Sequence, residues 1–484
     1  MKRLTIIFML IVLAACGKPK IDTEIRFAVA TMPLNLDPRY ATDAASARVN
    51  RLLYQTLVDF DAQSRPVPSL ASWVVASPVE YQFKLQVPRA LFHNQTFVTS
   101  YDVKATYDSL MALKDSPHAA EFSNIAHIEV IDNDTVLFHL KHADKDFTAK
   151  LIIGILPNAL IAKSHDFSHD AVGSGPLKLM GWQNKLTLKR RQDNQLISLV
   201  EVKDPTVRVL KLLDGEIDLL QGDLPPELVK YLQTKPDINV KTNIGENFSY
   251  LGLNMQDAAL NNQKVRLAIA HAIDRNAIIQ KVMVPNTRLA AAILPPEHFT
   301  NLSDNNQSHF NLIPYDYNPD LARKLLLEAG IKLPLKLIYK TSTDAQRVRF
   351  ATIMQAQMQP AGIDLEIRSL DWGTFFEDVK QGNFQLFGLT WVGIKTPDIY
   401  AKALGSASFP PNGFNRGRYA DKTLDELLAE EDWQSATARI HNQLPYIPLW
   451  YEGQFVAMRK KIQNYLPKPD GNWDDLATIS NYAH

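Results

Sequence analysis

The chain has 484 residues, too many for one hydrophobic core, so two or three domains are expected. Apolar residues make up 46% of it and charged residues 21%, proportions that are ordinary for a folded protein and exclude extensive disorder. Basic and acidic residues both number 52, so the overall charge favours neither a nucleic acid nor an anionic membrane as partner.

The first residues predict export and a lipid anchor. Two basic residues precede the apolar run Leu4–Leu13, which is too short to span a bilayer and is typical of an export signal. The run ends in Leu13-Ala14-Ala15-Cys16, which resembles the bacterial lipoprotein cleavage motif. We predict a signal peptide over 1–15, a lipidated Cys16 and a tether over 16–21. The alternative is an ordinary signal peptide with a chance cysteine. Cys16 is the only cysteine, so no internal disulfide is possible.

The first half of the mature chain mixes strands and helices according to its apolar spacing. In chain order, the pattern predicts strand Glu24–Thr31, helix Ser46–Leu57 with Ser46 as a possible cap, strand Leu57–Phe60, an irregular segment Pro66–Trp73, strand Val79–Val87, helix Ser100–Leu113, hairpin Ile125–Leu140, strands Leu177–Met180 and Leu186–Arg190, and helix Val207–Ile217. Gly173-Ser174-Gly175-Pro176 indicates a turn, since no helix follows to complete a phosphate loop.

The second half alternates regularly between strands and helices. After helices Val265–Ile273, Arg275–Met283 and one starting at Asn318-Pro319, it predicts strand Leu335–Tyr339, helix Ala345–Gln359, strand Ile363–Ser369, helix Gly373–Lys380, strand Phe384–Trp391 and, later, strand Pro445–Val456. Such alternation predicts βαβαβ units with parallel strands. Ligands of open α/β sheets bind beyond the carboxyl ends of strands, so Trp391 indicates a site. The residues alone leave open that Trp391 only packs in the core.

Catalytic motifs are absent from the sequence. It contains no GxSxG, no SxxK and no HExxH motif. His139 and His142 lie around a strand end, where alternation turns them to opposite faces, so solvated side chains are expected rather than a metal pair. His165 and His169 have a spacing that a helix could use for a metal, but they lie in a polar segment. We therefore predict a binding protein and not an enzyme, with no metal and no cofactor.

Several segments occur in the order known from one family. They are Leu36-Asp37-Pro38, Pro68–Trp73, Gly173-Ser174-Gly175-Pro176, Lys264–Ile278 after Asn254, and Trp372–Phe375. Together they resemble family 5 of the bacterial extracellular solute-binding proteins, the oligopeptide, dipeptide and nickel binding components of ABC importers. The resemblance implies an α/β fold, namely a two-lobed, hinged periplasmic-binding-protein-like clamp with mixed sheets and an additional α+β domain. It implies lobe I at 22–45, 157–253 and 451–484, the additional domain at 46–156 and lobe II at 254–450.

The resemblance also implies a ligand site. Peptide binders of this family pair an extended ligand with two backbone segments, a form of β-augmentation. Tryptophans that match Trp372 and Trp391 form the walls of their side-chain pockets. The implied site consists of Thr42, Asp43, Ala44, Ala45, Ser46, Trp372, Thr390, Trp391, Val392, Gly393 and Asp398.

The chain departs from the family pattern after Trp391. Peptide binders place an aspartate three residues later to pair the amino terminus of the peptide, whereas this chain has Ile394 followed by Lys395. Asp398 is a candidate replacement. Gly388 stands where many peptide binders have an arginine. We predict that a free amino group on the ligand is not essential.

The implied function is capture of oligopeptides or peptide-like solutes and their delivery to ABC permease and ATPase subunits. The protein would be a monomer on the periplasmic side of a membrane, anchored through its lipid, with no nucleic acid partner. Two alternatives stay open: a non-peptide solute such as a metal chelate, and an envelope-assembly lipoprotein with the same clamp.

Overall fold

The computed structural model describes residues 24–61, 64–299 and 312–481. The predicted signal peptide, Cys16 and the tether lie outside the described residues. The strands are β1 (Ile25–Val29), β2 (Val58–Phe60), β3 (Pro66–Pro68), β4 (Ala71–Ser77), β5 (Glu80–Leu85), β6 (Ile125–Val130), β7 (Thr135–Leu140), β8 (Leu177–Trp182), β9 (Leu186–Arg190), β10 (Leu196–Glu201), β11 (Leu219–Gln221), β12 (Ile238–Leu253), β13 (Arg288–Leu289), β14 (Leu335–Ser342), β15 (Ile363–Leu370), β16 (Leu386–Trp391), β17 (Tyr446–Arg459), β18 (Ile462–Gln463) and β19 (Ser480–Asn481).

Helices connect these strands. They are α1 (Ala44–Leu53), α2 (Ser100–Ala112), α3 (Phe147–Lys150), α4 (Asn158–Ile161), α5 (Pro205–Asp214), α6 (Pro226–Gln233), α7 (Gln263–His271), α8 (Arg275–Val282), α9 (Pro296–Phe299), α10 (Pro319–Glu328), α11 (Ala345–Met358), α12 (Trp372–Gln381), α13 (Ile399–Leu404), α14 (Lys422–Ala429) and α15 (Trp433–Gln443). Single 3₁₀ turns occur at Ala119–Phe122, Gln359–Ala361, Ser406–Ser408 and Asp474–Ala477.

One mixed sheet runs through both lobes in the order β15-β14-β16-β12-β17-β11-β1-β10-β9-β8, and β13 pairs with β17. The long antiparallel strands β12 and β17 cross from one lobe to the other. The amino-terminal half of β12 pairs with the carboxyl-terminal half of β17 beside β11, and the opposite halves pair beside β16. The register shifts between Asn243 and Asn247, so the crossing strands bulge where the lobes meet.

The core residues of the crossing strands divide in the same way. Phe248 and Leu251 of β12 and Ile447 of β17 pack in the lobe II core. Val456 and Phe455 of β17 pack in the two cores that cover opposite faces of the lobe I sheet. Each lobe therefore buries its own apolar side chains, and the crossing strands join two separately packed bodies, as the two-lobed clamp predicted.

The additional domain is built around an antiparallel sheet in the order β4-β5-β7-β6, with α2 on one face. Phe83 and Phe138 point inward from this sheet, and their ring centroids lie 5.5 Å apart. The ring centroid of Tyr107, on α2, lies 5.5 Å from that of Phe138. The predicted hairpin is confirmed as β6 and β7. The segment Pro66–Trp73, predicted to be irregular, is instead strand β3 and the start of β4, because the prolines lie on a short edge pairing with β2.

The predicted βαβαβ unit of lobe II is confirmed. Strands β14, β15 and β16 run parallel, with β14 in the middle, and α11 and α12 connect them. Both connecting helices begin at aspartate caps, Asp344 and Asp371, which follow the carboxyl ends of β14 and β15. The starts of α11 and α12 and the end of β16 therefore lie along one edge of the sheet.

The domain boundaries stay a prediction, but one observation bears on them. Helix α1 spans the predicted boundary at residue 46, yet Val49, Leu52 and Leu53, which lie beyond that boundary, pack in the lobe I core. We propose that the additional domain begins after Tyr54, which belongs to the same lobe I core.

His93 of the additional domain holds the glycine turn of lobe I. Its backbone N–H donates to the carbonyl of Gly173 at 2.8 Å, and its Nε2 lies 3.1 Å from the carbonyl of Gly175. The N–H of Gly173 donates to Nδ1 at 3.3 Å. Nδ1 therefore accepts and Nε2 donates, an arrangement that requires the neutral ring. Burial lowers the pKa of His93 from 6.5 to about 4.

Acid is expected to destabilise the protein through His93. Because the unfolded state takes up this proton near pH 6.5 and the folded state only near pH 4, stability is lost as the pH falls through this window. The loss approaches about 3 kcal/mol at the low end. Urea unfolding at pH 7 and pH 4.5 should show a smaller pH effect in His93→Gln than in the wild type. His142→Gln, at an exposed histidine, should keep the wild-type effect. Equal pH effects in all three proteins would contradict this assignment.

Candidate functional site

The end of β16 lies where the two lobes meet. Thr390 and Trp391 pair with Ser249 and Phe248 of the crossing strand β12. The chain then turns at Gly393, whose φ of 68° is in the left-handed region that favours glycine. The two residues of the strand end turn their side chains to opposite faces of the sheet.

Trp391 is half-buried in an aromatic and cationic wall. Its ring lies 5.8 Å from that of Phe414 and 6.4 Å from that of Tyr250, and the guanidinium of Arg416 lies 4.8 Å from its centroid. Arg416 is itself buried and donates to the hydroxyl of Tyr250 at 3.3 Å. Together, the four side chains make a rigid surface beside which a ligand side chain can pack.

Thr390 belongs to a polar network at the hinge. Its hydroxyl donates to the Glu452 carboxylate at 3.0 Å, and the hydroxyl of Ser249 is bound to the same carboxylate. Because Glu452 lies on β17 and Ser249 on β12, this network joins both crossing strands to the end of β16.

The segment from Thr42 to Ser46 does not have the extended conformation that backbone pairing with a ligand requires. Ala44, Ala45 and Ser46 form the first turn of α1, and Asp43 caps this helix by accepting from the N–H of Ser46 at 2.9 Å. The prediction of Ser46 as the cap is therefore wrong. The Ser46 hydroxyl instead accepts from the N–H groups of Leu34 and Asn35.

Within this segment, only Thr42 and Asp43 precede the helix. The residue before them, Ala41, accepts a hydrogen bond at 2.9 Å from His118 of the additional domain, whose ring lies 6.4 Å from that of Phe414. His118 and Phe414 thus connect the start of α1 to the wall that contains Trp391, so the structure brings the two predicted segments to the same region.

Ile394 and Lys395 follow the turn. Ile394 packs against the lobe II core. The ammonium of Lys395 lies 3.0 Å from Asp470 and 3.3 Å from Glu246, two acids at the hinge. Burial would lower the pKa of Lys395, but the two carboxylates outweigh it and raise the pKa. Lys395 therefore stays protonated, and its charge is balanced by the two carboxylates.

Asp398 already has a cationic partner. The ammonium of Lys402, one helical turn further on, lies 2.8 Å from the Asp398 carboxylate and 2.6 Å from Glu121 of the additional domain. Burial would raise the pKa of Asp398, but the charge of Lys402 and its hydrogen bond lower it. In this conformation, Lys402 takes the place that the ammonium of a ligand would need, and the Lys402–Glu121 pair links lobe II to the additional domain.

Trp372 starts α12 at the same edge of the sheet. The Trp372 ring packs on the ring of Phe376 with 5.4 Å between centroids, and the guanidinium of Arg347 lies 5.6 Å from the centroid of the Trp372 ring. Arg347 comes from the first turn of α11 and lies 3.4 Å from the carbonyl of Gly388 on β16. Among the described residues, no carboxylate lies within ion-pair distance of Arg347.

Comparison with known proteins identifies the family. The model of the bacterial extracellular solute-binding proteins, family 5 Middle, matches residues 65–408, which is most of the chain. The chain belongs to this family.

Relatives of this family 5 protein bind several kinds of solute. It is 27% identical over 490 residues to a probable di/tripeptide-binding protein of Pseudomonas aeruginosa, with 90% of both chains covered. DppA of Helicobacter pylori, solved in complex with the peptide STSA, shares the fold with a TM-score of 0.83 at 24% identity, covering 95% of this chain and 98% of that one. NikZ of Campylobacter jejuni, solved with Ni(L-His), has a TM-score of 0.83 at 20% identity, covering 95% and 99%.

Several residues of this family 5 protein that shape the site were not predicted from the sequence. The site receives Arg347, Lys402, Glu121 and Arg416 from separate elements. A sequence signal existed for Arg347 alone, because the aspartate cap before it marks the start of a helix at the sheet edge.

Among the described residues, no helix is both long and apolar enough to cross a bilayer.

Proposed function

We propose that this family 5 protein is the extracytoplasmic binding component of an ABC importer and that it captures peptides or peptide-like solutes between its lobes. The observation that carries the proposal is the position of Trp391 and Gly393. They lie at the carboxyl end of a strand that is parallel to β14, beside the crossing strands. Phe414 contacts both Trp391 and His118 of the additional domain. The peptide ligands named for the P. aeruginosa and H. pylori relatives support the same solute class.

Ligand capture would close the clamp about β12 and β17. A ligand that contacts both lobes binds the closed form better than the open form and so shifts the population toward it. The Lys402–Glu121 pair joins lobe II to the additional domain, so a hinge opening that separates the two would have to break it.

Two guanidinium groups of lobe II support recognition of a carboxylate, and the residues at the family's ammonium position offer no free partner for an ammonium. Asp398 is occupied by Lys402, and Ile394 cannot form an ion pair. Arg347 and the buried Arg416 have no carboxylate partner among the described residues. Metal chelates of amino acids also carry carboxylates, and the Ni(L-His) complex of NikZ makes such a chelate the second candidate.

The remaining parts of the proposal concern the cell envelope. A monomer anchored through Cys16 on the periplasmic side would deliver its solute to permease and ATPase subunits and would catalyse no reaction. Cys16→Ala should move the protein from the membrane fraction to the soluble fraction in cells of a bacterium that lipidates such signals. Unchanged membrane association would contradict the lipid anchor.

Replacement of Trp391 by alanine is expected to weaken ligand binding at least about tenfold, because a central aromatic wall is lost. The ligand is found in two ways. Mass spectrometry identifies solutes released from the denatured protein, and a thermal-shift screen tests di- to nonapeptides and amino-acid metal chelates. At 100 times its dissociation constant the ligand should stabilise the protein by about 2.7 kcal/mol.

The control is Trp182→Ala, at a half-buried tryptophan of β8 that stacks on His169 in lobe I. It should bind the same ligand with wild-type affinity. No thermal shift with any member of the two libraries would count against the importer function, and equal affinities of the two variants would remove Trp391 from the site.

A further inference from the structure

The outer face of the four-stranded sheet gathers metal-binding side chains from three adjacent strands. His127 of β6 lies directly opposite His139 of β7, and Glu80 of β5 lies opposite His139 on its other side. Glu129 follows two residues after His127 and therefore points to the same face. The apolar core of the domain covers the other face of this sheet.

Three of these side chains present ligand atoms to a common point. One atom each from His127, Glu129 and His139 lies within 4.8 Å of the other two. His139 lies between two carboxylates, with Nε2 3.4 Å from Glu129 and Nδ1 3.4 Å from Glu80.

We propose that His127, His139 and Glu129 bind a divalent transition-metal ion of the zinc, nickel or copper class. Imidazole nitrogen together with carboxylate oxygen is a donor set that these ions prefer, and three protein ligands leave a position for water. Without metal, the Nε2–H of His139 can donate to Glu129 at 3.4 Å. Metal binding at Nε2 would move the ring proton to Nδ1, which lies 3.4 Å from Glu80, so Glu80 would then orient the ring. The ligands lie on the additional domain and include no residue of the cleft wall, so the site is independent of the proposed function.

The local geometry shows what binding would require. Ligand atoms around a tetrahedral zinc ion lie about 3.4 Å apart, so the present spacing must contract. The rings of His127 and His139 stack at 4.1 Å with 9° between their planes, so their in-plane lone pairs lie in separate, nearly parallel planes and cannot meet at one ion without a ring rotation. His127 and Glu129 are exposed and free of core packing, and rotation of the His127 ring brings the donors together.

Isothermal titration of the untagged, chelator-treated full-length protein with zinc chloride tests the site. One equivalent should bind with a dissociation constant in the micromolar range or below. His127→Ala and His139→Ala should each weaken this binding at least about tenfold, and Glu80→Gln should weaken it several-fold. His142→Ala, at an exposed histidine just after β7, should leave it unchanged. Circular dichroism confirms that the exposed-site variant His127→Ala is folded.

Two results would overturn the proposal. One is the absence of zinc binding up to millimolar concentration, which would leave the histidine pair as a packing contact only. The other is binding that His127→Ala and His142→Ala change equally. Neither result bears on the cleft, because the thermal-shift ligand of the importer is measured separately.

Discussion

Replacement of Gly245 by alanine is expected to destabilise the folded protein by about 3 kcal/mol or more. A Cβ atom at this position would lie 1.4 Å from the carbonyl oxygen of Glu452 and 2.4 Å from its carbonyl carbon. Both are backbone atoms of the crossing strand β17, so no side-chain rotation relieves the overlap. Strands β12 and β17 would have to separate at the hinge. Urea unfolding followed by tryptophan fluorescence measures the loss.

Gly181→Ala is the matched control. Gly181 also lies in a strand, β8, but a Cβ atom there would meet nothing within 4 Å. Its substitution should change the free energy of unfolding by no more than about 0.5 kcal/mol. If the two variants unfold at the same urea concentration, the close approach of the crossing strands at Gly245 is wrong.

The hinge explains why the longest strand was absent from the sequence predictions. Strand β12 runs from Ile238 to Leu253, and its two halves lie in different surroundings. The first half is partly exposed beside β17 in lobe I, whereas the second half, from Asn247, is buried on both faces in lobe II. No single periodicity covers both, and the bulge that contains Gly245 interrupts the pattern between them.

Lobe II was predictable because each of its strands keeps one pattern along its length. Strands β14 and β15 alternate apolar with polar residues, β16 is a short apolar run, and the helices between them begin at caps, so periodicity and caps indicated the same elements. The position of the cleft followed from the same pattern, since parallel strands present their carboxyl ends along one edge. The family resemblance then directed attention to Trp391, which packing preference alone would have assigned to the core.

The charges of the site could not be predicted, because they depend on residues that are distant in sequence. Asp398 was a candidate for binding a ligand ammonium, yet its availability depends on Lys402, which α13 places one turn away, and on Glu121 of another domain. Lys395 follows the position of the family's aspartate, and its positive charge is balanced by Glu246 and Asp470 at the hinge. Position 388 lacks the family's arginine, and Tyr339 fills its space, since a Cβ there would lie 2.2 Å from the tyrosine hydroxyl.

Arg347 supplies a guanidinium beside that position, and its replacement by alanine is expected to weaken binding of a carboxylate ligand about 10- to 100-fold. A hydrogen bond between charged partners contributes about 1.5–3 kcal/mol, which corresponds to this range. Calorimetry with the best peptide of the thermal-shift screen measures the effect. The C-terminal amide of that peptide should bind the wild-type protein more weakly than the free peptide by the same factor. With Arg347→Ala, the amide and the free peptide should bind with equal affinity. The N-acetyl form should bind the wild-type protein as the free peptide does.

Arg349→Ala is the control on the same helix. Arg349 forms an exposed ion pair with Glu227 of lobe I at 2.8 Å, and such pairs contribute little, so affinity should change less than about fivefold. Equal losses in the two variants would indicate a general effect on clamp closure. Retention of the amide effect in Arg347→Ala would place the carboxylate elsewhere, and dependence on a free amino group would return Asp398 to the site through displacement of Lys402. The coupling between the variant and the amide thus separates direct contact with the ligand from closure, which affinity alone does not do.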